Sequence, residues 1–167
     1  STGAMSDVAR VRKSIDDTGH NALLMVDTIS SLASSDFCHD EWGVDVTVSG
    51  SQKGLMLPPG LSFNAISQKA IGAYKTATLS KSYWDWGEQI EANSVGAFPY
   101  TPATNLLYGL NEAVAMLKEE GLDNVFSRHK RHAEATRLAV QTWGLEVLCE
   151  EKEDFSNTLT AVLLPDG

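Results

Sequence analysis

Val44-Asp45-Val46-Thr47-Val48, followed at once by Ser49-Gly50-Ser51-Gln52-Lys53-Gly54, sets the architecture of this 167-residue chain. A β-branched run fits the pleated surface of a sheet, and the small and hydroxyl residues after it predict a loop. Upstream, Ala22-Leu23-Leu24-Met25-Val26 is apolar without alternation, as a strand buried on both faces would be. Downstream, Leu61-Ser62-Phe63-Asn64-Ala65-Ile66 predicts a third strand. Val8, Val11 and Ile15 stand at helical spacing ahead of them, between an N-cap at Ser6-Asp7 and a stop at Gly19. Helix, strand, connection, strand, strand is the order of an α/β layer. Such sheets carry their sites in loops beyond the carboxyl ends of the strands, where Asp27 and residues 49–53 both fall.

Farther along, residues 67–74 read as a short helix and residues 76–97 as an irregular segment rich in aromatics, with Tyr83, Trp84 and Trp86 close together. Pro102 opens a helix through Leu106, Leu110, Ala113 and Leu117 that Gly121 stops, and a second helix runs from about Leu122 to Trp143. Leu145-Glu146-Val147-Leu148 and residues 158–164 predict two strands separated by an acidic turn. A domain change is expected between Glu119 and Arg131. It assigns residues 1–120 to a large α/β domain and residues 121–167 to the beginning of a smaller one. Both ends read as cut, Ser1 on the end of a strand and Pro165-Asp166-Gly167 straight after another.

Composition narrows the function classes. Hydrophobic residues make up 43% of the chain, too many for a disordered one. Twenty-two acidic against 13 basic residues give a net charge of −9 with no basic block, which argues against a nucleic-acid partner. No apolar run approaches the roughly 20 residues of a membrane helix, and residues 1–13 lack a secretory apolar core. Cys38 and Cys149 stand far apart without a CxxC, which points to the reducing cytoplasm rather than to a disulfide framework or a cysteine-rich zinc site.

Lys53, in its loop of small residues, has two readings. It is either a solvated surface lysine, the commonest state of this residue, or a Schiff-base lysine whose amine attacks a carbonyl. Asp27, at a strand end 26 positions earlier, shifts the balance. A pyridoxal 5′-phosphate site needs both a lysine to hold the aldehyde and a carboxylate against the pyridine nitrogen. His129 and His132, at i,i+3 spacing, are the nearest approach to a metal pair. No third ligand follows at a suitable spacing, so they read as a solvated helix face and no metal site is expected.

Three blocks carry a resemblance: residues 26–32, Val-Asp-Thr-Ile-Ser-Ser-Leu; residues 40–45, Asp-Glu-Trp-Gly-Val-Asp; and residues 49–60, with Ser-Gly-Ser-Gln-Lys-Gly at their head. Together they resemble class V pyridoxal-phosphate-dependent aminotransferases, within them most the serine–glyoxylate and alanine–glyoxylate enzymes. Residues 98–110, Phe-Pro-Tyr-Thr-Pro-Ala-Thr-Asn-Leu-Leu-Tyr-Gly-Leu, extend the match and favour the bacterial serine–glyoxylate branch. The resemblance implies the α/β architecture called fold type I, here the later half of the large domain and the start of the small C-terminal domain. It also implies a transaminase that moves an amino group from serine or alanine to glyoxylate.

By the same resemblance, Lys53 binds the cofactor and shuttles the proton, Asp27 pairs with the pyridinium, and Ile29 packs on one ring face. Ser51 and Gln52 would hold the phosphate. Thr101 would reach it from the neighbouring subunit of a homodimer with shared sites. Phe98 departs from the family pattern, because a tyrosine commonly stands there and a phenyl ring cannot bond to phosphate; Tyr100 is the substitute at hand. Other parts of the family's site, including the arginine for the substrate carboxylate, match nothing in the chain. The alternatives are a silent fragment or dimerising core of such an enzyme, and a class V enzyme with another small donor. Cysteine desulfurases are set aside, because Cys149 does not stand in the setting of their catalytic cysteine.

Overall fold

Asp7 opens the first helix, α1 (Val8–Asp17), by accepting the Arg10 N–H at 2.9 Å, and Gly19 leaves it at φ +62°. The computed structural model describes residues 2–165. The ends expected at Ser1 and at Asp166-Gly167 lie outside the described residues.

Next come β1 (Met25–Asp27), β2 (Val46–Gly50) and β3 (Ser62–Ile66), one sheet in that spatial order. β1 runs parallel to β2, with Met25 beside Val46 and Asp27 beside Val48. β3 runs antiparallel to β2, from Val46 beside Ile66 to Gly50 beside Ser62. The central strand is buried along nearly all its length. The first strand is shorter than expected and not buried on both faces, since Met25 is 62% exposed. Among the described residues its one neighbour is β2, which leaves it at the sheet's edge with a flank open.

Ser67 caps α2 (Gln68–Tyr74) by accepting the Ala70 N–H, as the short helix requires. The segment expected to be irregular contains a 3-10 turn at Ser82–Trp84 and a true helix, α3 (Trp86–Ser94). Asp85 makes that helix possible. Its Oδ1 accepts the N–H groups of Gly87 and Glu88, and also the hydroxyl of Tyr74. The aromatics masked this cap in the sequence. α4 (Thr104–Glu120) starts two residues after Pro102, and Gly121 at φ +81° separates it from α5 (Leu122–Thr142). Arg128 closes the corner with a bidentate pair to Glu120 at 2.7 and 2.8 Å. The last two strands pair antiparallel but are brief, β4 (Glu146–Val147) against β5 (Val162–Leu163). The turn between them carries the 3-10 segment Lys152–Asp154.

The core forms where the sheet's loops meet the long helices. Ala33, Leu55 and Leu57 pack with Ala113, Leu117 and Val125. Two of these follow Lys53 closely and one follows Asp27, so the apolar packing lies directly under both loops.

Candidate active site

The parallel register of β1 on β2 carries Asp27 and residues 49–53 to the same end of the sheet. Beyond its last pair the two strands stay tied. Thr28 donates to the Val48 carbonyl through its N–H at 2.8 Å and its hydroxyl at 3.2 Å, and Ser49 Oγ donates back to the Thr28 carbonyl at 3.3 Å. Asp27 is exposed just before this knot. Its Oδ1 accepts the Ile29 N–H at 2.8 Å, which fixes the carboxylate through one oxygen. Ile29 is half-buried beside it.

The lysine loop is held as firmly. Its backbone closes through Met56 N to Lys53 O at 2.9 Å, Leu57 N to Ser51 O at 3.1 Å, and Ser51 N to Leu61 O at 3.2 Å. Gly54 seats the loop on the turn after β1: a Cβ there would lie 2.1 Å from the Leu32 carbonyl oxygen and 2.8 Å from Ser34 Oγ. No other residue fits so close to a neighbouring backbone. Lys53 itself is exposed.

Of the residues expected on phosphate, Gln52 is exposed, and its amide folds back over Gly50, where a Cβ would meet Oε1 at 2.9 Å. Ser51 differs from expectation. It is wholly buried, its hydroxyl donating to the Pro58 carbonyl at 2.8 Å and accepting the Leu61 N–H at 3.2 Å. Those bonds make its side chain a brace of the loop, with no face left for an anion. Thr101 lies exposed on the connection before α4.

Lys53 stands on the rim of a cleft of about 510 Å³ between the sheet loops and α5. Ser30 and Ser34 line its near side; His129, His132, Thr158 and Thr160 line the far side. Both histidines line the cleft, His129 half-buried and His132 still exposed. Burial lowers the His129 pKa below the ordinary imidazole value, and the charges of Arg128 and His132 add to this against Glu120. Among the described residues, no cluster of three metal-ligating side chains includes them. Asp27 does not line this cleft. Sequence reasoning missed the cleft's far side because residues from α5 and from residues 158–160 meet only through tertiary packing. Gly54 was visible as a small residue beside the lysine, but its contact with Leu32 was not.

The family profile of class V aminotransferases matches residues 1–164. The chain belongs to this family. It is 50% identical to serine–glyoxylate aminotransferase of Methylorubrum extorquens over 99% of its own length and 42% of that protein's. With the L-aspartate–glyoxylate aminotransferase of Paracoccus denitrificans the identity is 45%, again over 99% of this chain and 42% of the relative. The crystal structure of alanine–glyoxylate aminotransferase from Nostoc sp. superposes with a TM-score of 0.90 at 35% identity, covering all of this chain and 44% of that one. The chain thus spans less than half the length of these class V relatives.

Class V enzymes depend on pyridoxal phosphate as a group, and the donor set fits that cofactor. An exposed amine, a turn-fixed carboxylate, an apolar side chain two residues on and a free amide all sit at one end of one sheet.

Proposed function

We propose that the protein is a transaminase that moves the amino group of serine or alanine to glyoxylate, giving glycine and a 2-keto acid. The observation that carries the reading is the parallel register that puts Asp27 beside Val48, at the strand end from which the Lys53 loop leaves. Pyridoxal 5′-phosphate, when bound, supplies the electron sink that weakens the substrate Cα–H bond. Lys53 Nζ would hold the cofactor and would carry the proton from the substrate Cα. Asp27 would keep the ring nitrogen protonated, and Ile29 would pack on the ring. Gln52 and the turn N–H groups hold the phosphate, joined by Thr101 of a second subunit in a homodimer. Ser51 acts indirectly, by bracing the loop.

The same reading divides the chain into a large-domain part, residues 1–120, and the start of a small domain, residues 121–167. It places the enzyme in the cytoplasm, which suits the two free cysteines. No helix among the described residues is long and apolar enough to cross a membrane. Aspartate is the competing donor, favoured by the Paracoccus relative's name, and a donor screen decides between it and serine or alanine.

The direct test is optical. Adding pyridoxal 5′-phosphate to the protein produces an absorbance band near the visible edge, and Lys53→Ala abolishes it. Identical spectra for the two proteins overturn the reading.

A further inference from the structure

Thr28 and Ser49 are buried to 1% and 3% exposure, and the chemistry proposed above gives neither a role. They lie one step beyond Asp27 and Val48, the last register pair of β1 and β2. Past that pair one backbone bond, Thr28 N–H to the Val48 carbonyl at 2.8 Å, still joins the strands, and their two hydroxyls add to it, Thr28 Oγ1 on the Val48 carbonyl and Ser49 Oγ on the Thr28 carbonyl. The Thr28 carbonyl that receives Ser49 Oγ also accepts the N–H groups of Leu32 at 2.9 Å and Ser31 at 3.1 Å. One side of the knot is therefore the turn that orients Asp27, and the other is the strand end that launches the Lys53 loop.

We infer that Thr28 and Ser49 are positioning residues, a hydroxyl pair that fixes the height of the Asp27 turn against the Lys53 loop. The inference rests on the roles proposed above for Lys53 and Asp27. Each hydroxyl bond is small against the whole fold. A displacement of about 1 Å between reacting groups, however, can cost on the order of 100-fold in rate. Valine matches threonine in shape and lacks its donor, so it removes the hydroxyl's share of the tie, leaving the backbone bond, without opening a cavity.

The experiment uses the full chain that carries these residues, with and without pyridoxal 5′-phosphate. Thr28→Val and Ser49→Ala are each expected to lower kcat about 10-fold with KM within about twofold. Both are expected to move the pH midpoint of the Lys53-dependent band, and Thr28→Ser is expected to restore it. In the cofactor-free protein, amide exchange at Ile29, Ser31 and Leu32 should rise about 10-fold in the two variants. Should Thr28→Val fail to fold, Ser49→Ala carries the same test from the other strand. A band present in every variant, with unmoved midpoint, kcat and exchange, overturns this inference alone. A wild-type protein with no Lys53-dependent band overturns the transaminase reading and this inference together.

Discussion

Between Asp27 and Leu61 the chain answers its own polar groups: Thr28 with Val48, Ser49 with Thr28, Ser51 with Pro58 and Leu61, and Asp27 with the Ile29 N–H. Between Leu79 and Tyr108 it does the reverse with apolar groups, leaving Leu79, Trp84, Val95 and Tyr108 between 79% and 83% exposed. The first region is self-sufficient, its geometry fixed by bonds within residues 27–61. The second presents aromatic and aliphatic surface that this chain alone does not cover, and Thr101 stands in its midst. A site shared between two subunits would be built this way, with the reactive amine on the closed region and the borrowed contact on the open one. Sharp stability losses should therefore cluster in the first region.

The largest is expected at Gly54. Alanine there drives a Cβ to 2.1 Å from the Leu32 carbonyl oxygen, a backbone atom with no flexible end to swing aside. Either the lysine loop lifts or the turn after β1 moves, and both carry the buried cluster of Ala33, Leu55 and Leu57 with them. Gly54→Ala should cost at least about 3 kcal/mol in denaturant unfolding. It should also weaken cofactor binding, because Lys53 is the adjacent residue. A loss below about 1 kcal/mol would show that the two loops are not interlocked.

Asp45 comes next. It is 4% exposed, with Leu24 N at 2.9 Å and Ser67 Oγ at 2.8 Å, and with Arg12 and Lys69 each 3.6 Å away. Burial pushes the carboxyl pKa up, but the Leu24 N–H, the Ser67 hydroxyl and Lys69 together outweigh it and pull the pKa below the usual carboxylate value. A depressed folded pKa means the group's contribution is complete above the unfolded value of about 3.9 and is lost as pH falls through the folded one. Asp45→Ala should cost about 3 kcal/mol at pH 7, because it strips the buried Leu24 N–H and the Ser67 hydroxyl of their acceptor and removes the carboxylate facing Arg12 and Lys69. The gap between wild type and variant should narrow below about pH 4. Parallel unfolding curves at pH 7 and pH 3 check it, and an unchanged gap breaks the account.

How much of this was legible in the sequence follows the same division. β2 and the lysine loop were readable because a β-branched run and a small-residue loop are local signals. The cap at Asp7 was local as well. Helix α3 was hidden because its one cap, Asp85, sits among aromatics that look like loop packing but stand mostly in solvent. Met25 misled for a related reason: an unbroken apolar run predicts a covered strand, and whether anything covers it depends on sheet order. Ser51 was named by resemblance, yet its burial and its bond to Pro58 depend on how a 10-residue excursion returns to Leu61. The solvated face expected at His129 and His132 holds for the exposed His132, whereas His129 is half-buried, and nothing in α5 foretells that residues 158–160 line the same cleft.

The smallest effect within one subunit, and the sharpest check of the contrast, is Trp84→Gln. Its ring is 81% exposed and touches Tyr83 only edge-on, at 6.5 Å between centroids. A side chain with so little packing contributes within about 0.5 kcal/mol to the subunit's own stability. An indole of this size buries roughly 150–250 Å² when covered, and central aromatic anchors contribute about 2 kcal/mol or more to an interface. The substitution should therefore leave the low-concentration unfolding midpoint almost unmoved and abolish the rise in midpoint that self-association produces at high concentration. Sedimentation of both proteins at the two concentrations checks the second half directly. A variant that unfolds early even when dilute would mean that Trp84 packs within its own subunit, and the open region would then be no more open than the closed one.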